Sequence, residues 1–162
     1  MCSSDLLVEQ YGLEPHPEGG FYKETYRSSE TMTTRGGAQR PVSTGILFLL
    51  PAGEKSRLHR IKSDELWHFH LGGALRLTSI SPEGKVASVV LGPDIKAGQL
   101  LQHVVPARHW FGAEPAPGSA FSLVGCTVAP GFDFDDFDLG SRATLLTRFP
   151  DAREVVLKLT DK

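Results

Sequence analysis

The residue types able to do chemistry concentrate between residues 56 and 70, which hold three of the six histidines. An extended strand sorts side chains by a period of two. Arg57 and His59 then share one face of a first strand. Glu65, Trp67 and Phe69 share a face of the next, with Leu66, His68 and His70 opposite them. If Trp67 and Phe69 point into an apolar interior, Glu65 points in as well. A hairpin through residues 62–64 brings it beside His59. An imidazole and a carboxyl in one apolar cavity shift each other's pKa through burial and charge, which suits acid–base work. The plainer alternative is a satisfied structural ion pair. His68 and His70 fall on the outer face, where two histidines suit a metal only with a third ligand, and none is evident.

A second segment, residues 102–110, ends a strand at Pro106 and places Trp110 soon after. Trp110 either closes one end of the cavity and stacks on a flat ligand or is a core residue at the rim. The acidic run at residues 133–138 has the carboxylate density of a calcium loop but lacks the Gly at its sixth position and the Glu at its twelfth. It reads as a solvated turn anchored by Phe132, Phe134 and Phe137. No phosphate-loop spacing and no G-x-S-x-G serine motif occurs.

Apolar runs punctuated by Gly, Pro, Asp and Ser carry these residues. Eight strands are expected, at residues 21–28, 42–50, 56–61, 65–71, 74–80, 86–91, 99–105 and 120–128. Gly72-Gly73 is the tightest hairpin signal among them. No long helix interrupts the series, which is the pattern of an antiparallel sandwich or barrel. Helices are expected at residues 4–11 and 141–148. A further one follows a D-x-x-E capping box at Asp151–Glu154. Residues 29–39 read as a mobile loop whose composition allows a lid.

Composition bounds the rest. The 162 residues suit one domain spanning 1–162, and 40% hydrophobic with 22% charged residues is ordinary for a globular chain. A net charge of −2 speaks against bulk nucleic-acid binding. The longest apolar stretch, residues 45–51, falls far short of the roughly 18–20 residues of a membrane span. The first residues lack a basic segment leading into an apolar run, so no secretory signal is expected. Two cysteines, Cys2 at the chain end and Cys126 in an apolar run, make no disulfide framework and point to a reducing, cytoplasmic compartment.

Residues 16–28 (HPEGGFYKETYRS) resemble the signature of a small cupin family. So do the S-x-x-H-x-x-x-x-x-E-x-W-H-F-H-x-G run over residues 56–72, Val104-Val105-Pro106-Ala107, and Pro130 to Phe134. The resemblance implies an all-β cupin fold, a double-stranded β-helix or jelly-roll barrel with short N-terminal and C-terminal helices, assembled as a homodimer. Cupin metal sites take an H-x-H pair, a Glu and a later His. Here Arg57 stands in the first slot, His59 in the second and Glu65 in the Glu slot. The last slot falls on Trp110 or Phe111, with His109 beside it. Arg57 brings a fixed positive charge that repels a cation, so neither metal nor other cofactor is expected. Lys55 to His59 is also similar to the R-G-L-H run of metal-free cupin epimerases acting on dTDP-sugars. That similarity implies His59 as general base, Arg57 as a bidentate anion contact, and Trp67, Phe69 and Trp110 against a base or sugar face. The Tyr acid and the Asp partner of those enzymes have no assigned position here.

The expectation is therefore a metal-independent cupin that binds a small anionic ligand, a nucleotide or nucleotide-sugar, with His59 and Glu65 at its polar centre. It takes no nucleic acid or membrane as partner. Alternatives are a sugar-nucleotide epimerase or isomerase, a metal-dependent cupin enzyme, and a non-catalytic scaffold with a filled barrel.

Overall fold

A computed structural model describes residues 3–162; Cys2 lies outside them. Helix α1 (Ser3–Tyr11) leads into β1 (Glu14–Pro15), β2 (Phe21–Arg27), and the small hairpin β3 (Thr31–Thr33) and β4 (Gln39–Pro41). Then come β5 (Thr44–Pro51), β6 (Ser56–Arg60), β7 (Asp64–Gly72), β8 (Leu75–Ile80) and β9 (Val86–Leu91). The chain continues through β10 (Gln102–Val105), β11 (Trp110–Pro115), β12 (Phe121–Ala129) and β13 (Asp138–Leu139), and closes with α2 (Arg142–Arg148) and α3 (Arg153–Lys158).

The strands form two antiparallel sheets in a jelly-roll. One runs β1-β2-β5-β12-β7-β10, the other β13-β6-β11-β8-β9, while β3 and β4 pair only with each other. Inward side chains from both sheets meet in the main core: Phe48, Trp67 and Val124 from the first against Leu75, Leu77, Leu91 and Phe111 from the second. β5 is buried on both faces because α1 covers its outer side. Leu49 and Leu123 pack there with Leu13, Leu7 and Val8, so the apolar run does not alternate. Helices α2 and α3 cover the outside of the second sheet, where Leu145, Phe149, Val156 and Leu159 bury Leu58, Ile80 and Trp110. Among the described residues, no helix is long and apolar enough to cross a membrane.

The strands pair differently from the sequence expectation at four places. β6 and β7 lie in different sheets, so residues 61–63 form an arch across the barrel and not a hairpin. β7 and β8 also lie in different sheets. Gly72, at φ +92°, is needed there for close approach, since a Cβ would stand 2.5 Å from the Phe121 carbonyl oxygen. β11 was not expected as a strand; Gly112 and Pro115 mask a segment that pairs with both β6 and β8. Residues 29–39 are not a free loop but contain β3 and the start of β4, and none of them lines the main cavity. Helix α3 likewise begins without a capping box. Asp151 sits inside a 3-10 turn, and the N-cap Ala152 makes no side-chain hydrogen bond.

Candidate active site

The two sheets part at one end around a cavity of about 500 Å³. Its polar floor is made by His16, Glu18, His59, Glu65 and Cys126, and its walls by aliphatic and aromatic side chains. β6 turns His59 inward and leaves it 3% exposed; β7 turns Glu65 inward, at 7%. The two face the same cavity from opposite sheets, not across neighbouring strands of a hairpin.

The group closest to His59 comes from far upstream. The segment holding His16 and Glu18 docks on β6, where Arg57 N–H donates to the Glu18 carbonyl at 2.7 Å. This approach requires two glycines with positive φ. A Cβ on Gly19 would overlap the Lys55 carbonyl, and one on Gly20 would meet the Leu49 carbonyl oxygen at 2.7 Å. Glu18 Oε2 thereby stands 2.6 Å from His59 Nε2, with both side chains buried.

Close contacts and neighbouring charges favour one protonation state for each group. His59 Nδ1 lies 2.8 Å from the Arg57 carbonyl, which only accepts, so Nδ1 carries a proton. Nε2 faces a carboxylate, so it too is protonated, and the pair is imidazolium with carboxylate. Burial alone would neutralise both groups. The charge of Glu18 and its contact outweigh burial and hold the His59 pKa above its ordinary value. For Glu18 burial pushes upward, but the charge and contact of His59 win and hold it below the usual carboxylate value. His16 Nδ1 accepts the Glu18 backbone N–H at 3.1 Å. Burial keeps His16 below its ordinary pKa, assisted by the charge of His59 and opposed by Glu18. Its proton therefore sits on Nε2.

Glu65 differs from Glu18. Burial raises its pKa from 4.5 to about 7; His59 opposes the rise, and Glu18 adds to it. Its hydrogen-bonding neighbour is the buried Cys126 thiol, whose pKa burial and the adjacent Glu65 push well upward. That thiol is an inert part of the floor, consistent with a free, buried cysteine.

The remaining candidate residues sit elsewhere. Arg57 reaches away from the cavity, donating to Asp161 Oδ2 at 2.5 Å and to the Pro17 carbonyl. Trp67 and Phe69 pack in the main core and do not line the cavity. Trp110 faces outward under α2 and α3, with the Arg60 guanidinium 4.6 Å from its ring centre. Its neighbour Phe111 takes the inward place, pairing with His59 across the strands and packing on it at 4.1 Å between ring centres. Strand alternation decides between the two: with Phe111 in, Trp110 must point out. His68 and His70 stack at 6.4 Å, with His68 bound to Thr127 and Gln102. His109 contacts the Ala107 carbonyl.

The residues the sequence reading missed are His16, Glu18 and the aromatic wall. Two polar residues between prolines and glycines were the available signal. The acidic run was expected to be a solvated turn. It is a turn with Asp135 and Asp138 exposed, and its anchors Phe132, Phe134 and Phe137 also line the cavity, with Phe137 stacked on His59 at 5.4 Å. Asp136 is nearly buried, clamped by Arg40 through two hydrogen bonds of 2.9 and 3.0 Å.

These side chains do not fit a resident metal. Arg57 and Phe111, which cannot ligate, stand where two ligands would be needed, and His59 is already held by Glu18. Among the described residues no three His, Cys, Asp or Glu side chains form a group that could hold a metal ion.

Comparison with known proteins places the chain. A family profile described as cupin superfamily (DUF985) matches residues 5–140. The crystal structure of protein SO0799 from Shewanella oneidensis is 42% identical, with a TM-score of 0.91 and 99% of each chain covered. A hypothetical protein from Leishmania major is 32% identical, with a TM-score of 0.94, over 99% of this chain and 100% of that one. The uncharacterized protein YML079W of Saccharomyces cerevisiae is 33% identical over 148 residues, covering 83% of this chain and 73% of its own.

Proposed function

The chain belongs to the DUF985 family of the cupin superfamily, and from that premise we propose that it is a metal-independent cupin that binds a nucleotide or nucleotide-sugar in its cavity and moves a proton there. The observation that carries this reading is the pairing of two unlike carboxyls on one buried floor. Glu18 is locked as a carboxylate against His59, while Glu65 titrates at about 7. A general acid or base works best when its pKa lies near the working pH, and Glu65 meets that condition. The epimerase resemblance gave the base role to His59. With both ring nitrogens engaged, His59 instead supplies a fixed positive charge beside Glu65, and the mobile proton belongs to Glu65.

In this reading, proton abstraction beside a carbonyl is assigned to the Glu65 carboxylate, and the His59 imidazolium stabilises the negative charge that develops. The aromatic wall excludes water and holds a flat ring. The anionic part of the ligand is assigned to Lys23, which borders the cavity, because Arg57 is engaged with Asp161 and Arg27 with Glu24. Homodimer assembly and a cytoplasmic location belong to the same proposal. Sedimentation that returned only a 17.6 kDa species would remove the dimer.

The test is calorimetric titration with nucleoside monophosphates, diphosphates and diphospho-sugars. Binding of at least one in the micromolar range is expected, and no heat at millimolar concentration rejects the ligand class. For any sugar that binds, deuterium wash-in next to its carbonyl, lost in Glu65→Gln, supports the proton transfer. Binding without exchange leaves a binding protein only.

A further inference from the structure

The cavity floor carries a buried carboxylate that the protein's own donors meet only in part. Glu18 is 4% exposed and ionised, so it can only accept hydrogen bonds. Its Oε2 touches His59 but receives no aligned hydrogen bond. The Ser56 hydroxyl favours the charged form, yet it too makes no aligned bond. The other oxygen, Oε1, stands 3.7 Å from His16 Nδ1, whose lone pair already takes the Glu18 N–H. Two half-used carboxylate oxygens on a buried floor cost free energy unless something supplies protons to them. Donors line the same cavity: the neutral His16 ring, whose Nδ1 takes the Glu18 N–H, and the Glu65 carboxyl while it keeps its proton.

On the reading that this cavity holds the ligand, we infer that its floor receives an uncharged, hydroxyl-bearing ring, the sugar end of the ligand, with any phosphate kept at the mouth. Hydroxyls donate to Glu18 and accept from His16. A carboxylate or phosphate on the floor would face the Glu18 carboxylate with like charge, and Glu65 as well once it ionises above about pH 7. An ammonium would face the His59 imidazolium, which already neutralises Glu18. The walls match the rest of a sugar ring. Tyr22 stands edge-on to His16 at 4.6 Å, and Phe134 and Phe137 flank the same imidazole at 6.1 and 5.9 Å. They present apolar surface to the C–H faces of a ring whose rim carries the hydroxyls.

Three fragments on one carbocycle separate head-group charge from shape: cis-1,2-cyclohexanediol, cyclohexanecarboxylate and cyclohexylammonium. Each is titrated into the full-length protein carrying carbon-13 at the glutamate side-chain carboxyls, and the Glu18 and Glu65 signals are followed. The diol is expected to shift both signals and to half-saturate at a concentration at least about tenfold below that of either ion. Glu18→Gln should remove most of that preference; if the variant fails to fold, the wild-type ranking decides alone. A carboxylate or ammonium that binds as well as the diol overturns the inference, as does silence from all three. A diol preference in a protein that binds no nucleotide would sink the nucleotide reading while leaving the floor's preference standing.

Discussion

Glu65 provides a quantitative test of the site. The folded protein keeps its proton up to about pH 7, whereas an unfolded glutamate releases it near 4.5. Between those values the folded state holds more protons than the unfolded state, so stability falls as pH rises through that window and levels off above it. The gap corresponds to about 3 kcal/mol at neutral to alkaline pH. Glu65→Gln keeps the size of the side chain and removes the titration. The variant should match the wild type near pH 4.5 and exceed it by up to about 3 kcal/mol near pH 8. Urea unfolding across that range, followed by the fluorescence of the buried Trp67 and Trp110, measures the difference. The two proteins would need stability profiles that diverge steadily with pH. Parallel profiles, or a Glu65 carbon signal that titrates below pH 5, would refute the claim that burial dominates this carboxyl.

Other outcomes follow from the same geometry. Glu18→Ala leaves the His59 imidazolium buried without its counter-charge, which should cost about 3 kcal/mol at pH 7 and drop the His59 titration well below that of the wild type, read by proton–nitrogen NMR. The raised pKa of His59 means that the wild-type pair loses stability as pH climbs through the folded His59 value. The lowered pKa of Glu18 means that it also loses stability as pH falls through the folded Glu18 value. Gly19→Ala should displace the segment that delivers Glu18, costing ~2 kcal/mol or more and lowering the His59 titration without touching either residue. Arg40→Gln should release the strap that carries Phe134 and Phe137, seen as faster proteolysis within residues 132–137, with the barrel still cooperatively folded. Exhaustive chelation should leave ligand binding unchanged; a loss restored by one metal would show that the cavity holds a metal after all.

The order of strands along the chain was legible because alternation and Gly/Pro punctuation are local. Residues 86–91 formed the expected strand, residues 56–72 gave β6 and β7 close to the expected bounds, and α2 followed its cap at Ser141. The same local rule turned Glu65 inward with Trp67, and it needed only the sheet as a reference. Pairing is not local. Whether residues 61–63 close a hairpin or arch between sheets depends on where β11 and β12 insert, and a sequence period carries no trace of that. The partner of His59 illustrates the limit. The sequence supplied an imidazole at His59, a carboxyl six residues downstream at Glu65 and another far upstream at Glu18, and a glycine pair whose use was open. Only the packed barrel brought Glu18 to 2.6 Å, put Phe111 and not Trp110 inside, and sent Arg57 out to Asp161. The reason is physical: residue chemistry and strand period are properties of the chain, whereas burial, and with it the split between a locked carboxylate and a titrating one, exists only after two sheets close over the same space.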